Sequence, residues 1–285
     1  MSLLVPLLFG MHEGAQTGDA TCAVSGFEDL IDERGRGVIL VAELHGTQEG
    51  PAAIERLACA ARTQGLDTAV LFETPGQFDA VLNAAPAGRE AARAHLCETM
   101  EDFWAWSKDG RGTAAMLEAW IDLSQEAQAG PQLTLGTHDS NWNENEIEGS
   151  SRIVTRRADA MAARTLEALS LHDVVIVNVG KAHPTRIRNR MLGHPLYDDR
   201  PITRVVQRFS GGEAWNCQFS RCAVHPVLTS YVIEDGEPGA IVFTDTIANF
   251  EAYMFLGQAS ASPPIRDTEI CGPIEPYWHL GDDRG

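Results

Sequence analysis

No stretch of this sequence approaches the roughly 20 consecutive apolar residues that a membrane-spanning helix needs, so a soluble chain is expected. Basic residues are scarce: 22 against 40 acidic ones, for a formal net charge of -18, with Lys108 and Lys181 the only lysines. Such a balance lacks the basic footprint that phosphate backbones and anionic lipids require, and argues against a nucleic-acid or membrane-surface partner. The cysteines form no CxxC pair, which argues against zinc-knuckle and thioredoxin-type sites. GxSxG, HExxH, P-loop, GxGxxG and CxxCH motifs are also missing, which removes support for the familiar serine-hydrolase, zincin, nucleotide and c-haem readings. Whatever chemistry remains must use carboxylates and imidazoles.

Apolar residues make up 44% of the 285, enough for a full core in a single α/β domain spanning 1–285. The pattern places its core at about 25–210 and a C-terminal part at about 211–285. Extended and helical signals alternate, as in a mostly parallel sheet covered by helices. Strands are expected at 38–43, 68–73, 132–139 and 173–180. Helices are expected from about Pro51 to a stop at Gly65, over about 77–98 and 113–128, and from Ser150 or Ser151 to about Leu169. Beyond residue 210, segments 228–233 and 239–246 read as antiparallel or peripheral strands. The pair Trp104 and Trp106 reads as core rather than as a stacking platform.

The first strand ends oddly. In VILVAELHGTQEG a run built to be buried on both faces stops at Glu43, His45 and Glu49. The next strands repeat the habit, ending at Glu73, at His138 and Asp139, and just before His183. Ligands of open parallel sheets bind outside the carboxyl ends of the strands, so these residues are expected to converge there. Glu43 and His45, two apart, point to one side of a continued strand. The dipole of the following helix favours neutral imidazole at His45, the form that accepts a proton or binds a metal. Residues 181–208 carry seven basic groups (Lys181, Arg186, Arg188, Arg190, Arg200, Arg204, Arg208) against Asp198 and Asp199, which reads as a solvated face or as an anion-holding wall beside His183. Arg157, Arg186, His138 and Asp139 are the candidates to meet a small-molecule or peptide substrate, including an anionic one. The loops at 77–112 and 140–150 would supply its pocket.

Glu43-Leu-His-Gly46, then Glu73 and Gly180-Lys-Ala-His183, resembles the superfamily that joins erythromycin esterases, TIKI/TraB-type proteins and ChaN-like haem-binding proteins. Those families pair a GExH-like strand end with a glutamate and a later GxxH. The later motif matches here, whereas Ala42 stands where the first usually has glycine. Arg157-Ala-Asp-Ala-Met-Ala162 also resembles the helix before the last motif, so the likeness spans about 38–190. It implies an α/β fold with a site formed by Glu43, His45, Glu73 and His183, and either of two functions. One is hydrolysis of an ester or amide, with His45 as general base, Glu43 and Glu73 orienting water or holding Mn, Co or Zn, and His183 as a further ligand or oxyanion stabiliser. The other is a non-catalytic haem or iron carrier, ligated by His or by Tyr197, Tyr231, Tyr253 or Tyr277.

Six cysteines permit 15 full pairings. Cys217 and Cys222 flank a short loop, and Cys22 enters the first strand beside the helix that carries Cys59. Two bridges are therefore expected, Cys22–Cys59 and Cys217–Cys222, with Cys97 and Cys271 free. Bridges of this kind favour a periplasmic or secreted protein over a cytoplasmic one. The apolar run at 3–9 then reads as the stump of a signal sequence, or as a plain hydrophobic tail.

Overall fold

A computed structural model describes residues 22–140, 150–218 and 221–274. The apolar run at 3–9, the polar stretch at 141–146 and Tyr277 lie outside the described residues. Four apolar segments become the strands β1 (Gly37–Glu43), β2 (Thr68–Pro75), β3 (Leu133–Asp139) and β4 (Val174–Gly180). Helix α1 (Glu49–Thr63) follows β1; α2 (Asp79–Asn83), α3 (Arg89–Thr99), α4 (Glu101–Trp106) and α5 (Ala114–Ala129) separate β2 from β3. Helix α6 (Ser150–Leu169) precedes β4, and α7 (Pro184–Met191) leads to β5 (Ile202–Arg208). The rest contributes β6 (Gly211–Gln218), β7 (Arg221–Pro226), β8 (Ile241–Phe243), β9 (Ala252–Phe255) and β10 (Gln258–Ala259).

The central sheet runs β3-β2-β4-β1-β5-β9-β8, with every pair parallel except β8–β9. β1 and β2 are buried along their whole length, as expected for strands covered on both faces. Alternate side chains serve opposite layers. Ile39, Val41, Val70 and Phe72 pack with Ile54 and Leu57 of α1 and Trp120 of α5. Val38, Leu40, Leu71 and Val177 pack with Met161 and Leu166 of α6 and Ile187 of α7. The α/β class with a mostly parallel sheet is therefore present, and β6 and β7 form an antiparallel hairpin that β10 extends into a second, small sheet.

Local differences from the sequence expectations have identifiable causes. The helix expected over about 77–98 is broken between α2 and α3, because Pro86 offers no amide donor and Gly88 takes a φ of 91°. The strand expected at 228–233 is instead a 3-10 turn at Thr229–Tyr231, tied to the end of β5 by Phe209 N–H to the Tyr231 carbonyl. β9 joins the main sheet beside β5 rather than standing apart from it. Trp104 is fully buried, tilted against Trp120, but Trp106 is exposed with the Arg111 guanidinium 4.9 Å from its ring centre. Three disulfides close Cys22–Cys59, Cys217–Cys222 and also Cys97–Cys271, the last correcting the expectation of two free thiols. Those two residues lie 174 positions apart, with no local cue to join them.

Candidate active site at the carboxyl edge of the sheet

Strand order decides which tips meet. β4 lies between β1 and β2, with Glu43 level with Gly180 and Phe72 level with Asn178, so the ends of β1, β2 and β4 stand side by side. Glu73 is the hub. Its Oε2 accepts the Gly180 N–H at 2.7 Å and lies 3.6 Å from His45 Nε2. Its Oε1 accepts from Arg157 at 2.6 Å, and His183 Nε2 and Arg111 each lie 3.5 Å away. On the other side of His45, Nδ1 is 3.7 Å from Glu43 Oε2, which in turn accepts the Asn178 amide at 2.5 Å. Glu43, Glu73 and His183 are buried; the His45 side chain keeps 18% of its surface exposed.

The charges are arranged to make the two histidines opposites. Burial works against an imidazolium at His45, but contact with Glu43 and Glu73 outweighs it and pushes the pKa up to about 10. The helix terminus that favours neutral imidazole is worth about 0.3–1 kcal/mol and here opposes two carboxylates within 4 Å in a partly desolvated site, which favour the imidazolium. At His183 burial prevails over the Glu73 charge, with Arg157 adding to it, and the pKa falls to about 4. Burial alone would raise Glu73, but His45, Arg111 and His183 hold it well below the usual carboxylate range.

Of the other sequence candidates, Asp139 is locked to Arg157, which donates to it through Nε at 2.9 Å and through a terminal nitrogen at 2.6 Å. His138 is fully buried, with Nε2 3.3 Å from the Asn178 carbonyl, and burial lowers its pKa. Arg157 therefore braces carboxylates rather than reaching outward. Arg186 is exposed on α7 and donates to the Ala182 carbonyl, away from the cluster.

Several positioning groups carry little sequence signal. Asn178 is the exception, as the one polar residue in Val174–Gly180. Arg111 arrives from a loop, held by Asp109 at 3.0 Å. Fully buried Gln207 of β5 accepts the Leu44 N–H at 3.2 Å and donates to the Gly50 carbonyl at 3.1 Å, clamping both ends of the loop that carries His45. Two glycines are required by close approach: a Cβ on Gly180 would lie 2.8 Å from His45 Nε2, and one on Gly46 would overlap the Trp215 carbonyl of the hairpin. Replacing Gln207 by leucine should cost about 1–3 kcal/mol for the backbone groups left unpaired. It should also lower the His45 pKa from about 10 as the loop drifts from the carboxylates. Denaturant melts and imidazole NMR titration measure both, and an unmoved His45 titration would show that the loop holds without this clamp.

A divalent metal does not fit the four residues as they stand. Both oxygens of Glu73 are occupied by the Gly180 N–H and Arg157, and two guanidinium groups crowd the same carboxylate. Among the described residues no group of three or more His, Cys, Asp or Glu is arranged to hold a metal ion. Two of the tyrosines offered as haem ligands are poorly suited to that role: the Tyr197 hydroxyl donates to the Arg200 carbonyl at 2.6 Å, and burial with the Glu43 charge pushes the Tyr231 hydroxyl up, against the tyrosinate form. Tyr253 is half-buried on β9.

No family model and no curated protein matches the chain. Among solved structures, the type III effector HopBA1 aligns at a TM-score of 0.47 and 14% identity, over 85% of this chain and 100% of that one. ChaN of Campylobacter jejuni, whose structure shows cofacial haem binding, aligns at 0.32 and 12% identity, over 70% of this chain and 91% of that one. Similarity at these levels carries no argument about chemistry. What fold and site define is an α/β protein with a buried carboxylate–imidazole cluster at the carboxyl edge of its parallel sheet.

Proposed function

We propose that the chain is a hydrolase of ester or amide bonds working through His45, Glu43, Glu73 and His183. The observation that carries this is a single buried carboxylate, Glu73, with an imidazole nitrogen 3.6 Å from one oxygen and another 3.5 Å from the other. Such a pair, pushed in opposite directions by its surroundings, supplies an acid and a base at one pH. With Nε2–H turned to Glu73, neutral His183 presents the lone pair of Nδ1, which is buried and without a partner among the described residues. His183 is the general base for water, and the imidazolium of His45 offers positive charge to the developing oxyanion. His45 as base is set aside, since an imidazolium has no lone pair to give. Glu43 Oε1, His45 Nδ1 and Asn178 Oδ1 are likewise buried without partners, a concentration of unmet hydrogen bonding that a water and a substrate carbonyl would satisfy. Three disulfides suit an oxidising compartment, so the enzyme acts in the periplasm or outside the cell. Among the described residues no helix is long and apolar enough to cross a membrane.

A panel of nitrophenyl esters and peptide amides tests the reading. His183→Ala should lower kcat by roughly 10²–10⁴. The wild-type kcat/KM should stay level between limbs near pH 4, where His183 gains a proton, and near pH 10, where His45 loses one. No turnover across the panel, or full turnover by His183→Ala, overturns it. A Soret band on adding haemin, with no turnover, would favour the carrier reading instead.

A further inference from the structure

Most of the basic excess between residues 181 and 208 is neutralised in the fold. Arg190 pairs with Asp159, Arg200 with Asp198, Arg204 with Glu251, and Arg188 lies 4.0 Å from Glu251. Arg186 donates to the Ala182 carbonyl, just ahead of its helix. Lys181 and Arg208, which like Arg186 pair with no carboxylate among the described residues, differ from it in converging on one another. Both reach one acceptor, the Ser230 carbonyl, Lys181 Nζ at 3.4 Å and Arg208 through a terminal guanidinium nitrogen.

Their places in the sheet matter. Lys181 follows Gly180, whose amide binds Glu73, and Arg208 is the last residue of β5. β1 lies between β4 and β5, so the two cations flank the strand that delivers Glu43 and His45. Lys181 Nζ also sits 4.4 Å from the ring centre of Tyr231, which holds its ammonium at a fixed height. Arg208 keeps Nε buried without a partner among the described residues. Two like charges converging on one neutral carbonyl, in a protein of net charge -18, are held at a cost that a bound anion would remove. Their partial burial compounds that cost and lowers the pKa of each.

We propose that Lys181 and Arg208 form an oxyanion subsite that receives a phosphate or carboxylate carried by the substrate, beside the Glu43–His45 strand end. The word substrate rests on the hydrolase reading; the binding of the anion does not. Arg208 can present two N–H groups to one oxyanion, and Lys181 adds a point charge from the opposite side of β1.

Calorimetric titration of the full chain with inorganic phosphate and with succinate, against sodium chloride at equal ionic strength, decides the matter without turnover. At least one of the two should bind above the chloride background. Lys181→Gln and Arg208→Gln should each weaken it by about tenfold or more, as expected for a lost charge-assisted hydrogen bond, while Lys181→Arg retains it. Tighter phosphate assigns a phosphorylated substrate, and tighter succinate a carboxylated one. If Arg208→Gln fails to fold, Lys181→Gln carries the test, since that side chain packs against a ring face at the protein edge. Binding of neither anion, or binding unchanged in both glutamine variants, overturns the subsite. Anion binding with no hydrolysis of any ester would keep the subsite and remove only the hydrolase reading.

Discussion

Replacing Glu73 by alanine should abolish turnover and destabilise the fold together, because this carboxylate holds His45 and His183, the buried Arg111 and the partly buried Arg157. Its removal leaves Arg111 and Arg157 sharing Asp139 and takes the acceptor from the Gly180 N–H. Breaking a buried charged network from one side costs about 3–5 kcal/mol. Glutamine is the informative comparison, since it keeps an acceptor for Gly180 but not the charge, and should lose less stability while still lowering kcat by roughly 10²–10⁴. Titration gives a second signature. A histidine whose folded pKa is raised adds stability that is complete below the unfolded value near 6.5 and is lost as the pH climbs through about 10, as for His45. His183, with its folded pKa lowered, adds stability that is present above 6.5 and is lost as the pH falls toward about 4. Glu73→Gln should bring the upper limb of the pH–stability profile down, because one of the two carboxylates that keep His45 protonated is gone. Full activity in Glu73→Gln, with an unchanged upper limb, would remove Glu73 from the centre of the site.

The strand tips could be read from sequence because burial and ionisation conflict. An apolar run that ends in Glu43 and His45, or in Glu73, announces that something at its end pairs those charges, and parallel order then brings the ends together. Asn178 belongs to the same class of signal, a lone polar group in Val-Val-Ile-Val-Asn-Val-Gly, although its role as the donor to Glu43 needed the register of β1 on β4. Arg111 and Gln207 were not legible. One comes from a loop and the other from a strand 163 residues from its partner Leu44, so nothing local marks them. The surroundings of His45 were only partly legible for a different reason: the helix terminus and Glu43 were visible in sequence, but whether a second carboxylate, Glu73, stood within 4 Å depended on β4 lying between β1 and β2. The break at 84–88 was written in Pro86 and Gly88, and the apolar periodicity on either side masked it.

The three disulfides should separate by what they close. In the chain-entropy picture a bridge restricts the unfolded chain by an amount that grows with the logarithm of the loop, giving about 5 kcal/mol for Cys97–Cys271, about 4 for Cys22–Cys59 and about 2 for Cys217–Cys222. Their sequence separations are 174, 37 and 5 residues. Paired serine variants, melted in denaturant, should therefore lose stability in that order, the first two heavily against the 5–15 kcal/mol of a typical domain. Activity should follow a different order. The hairpin tied by Cys217–Cys222 presents Trp215, whose N–H donates to the Gly46 carbonyl at 2.8 Å and whose indole donates to the Lys108 carbonyl at 3.1 Å. It thus packs on the loops that deliver His45 and Arg111. Cys217→Ser with Cys222→Ser should cost the least stability and yet loosen His45, read as a lower kcat and a shifted imidazole titration. Cys97→Ser with Cys271→Ser should lower the denaturation midpoint most, with kcat of the folded fraction retained, because that bridge joins α3 to a C-terminal segment and touches none of the cluster. Mass spectrometry of native protein should find no free thiol among the six cysteines. Six titratable thiols, or equal loss of stability in all three variants, would show that loop closure does not hold this fold together.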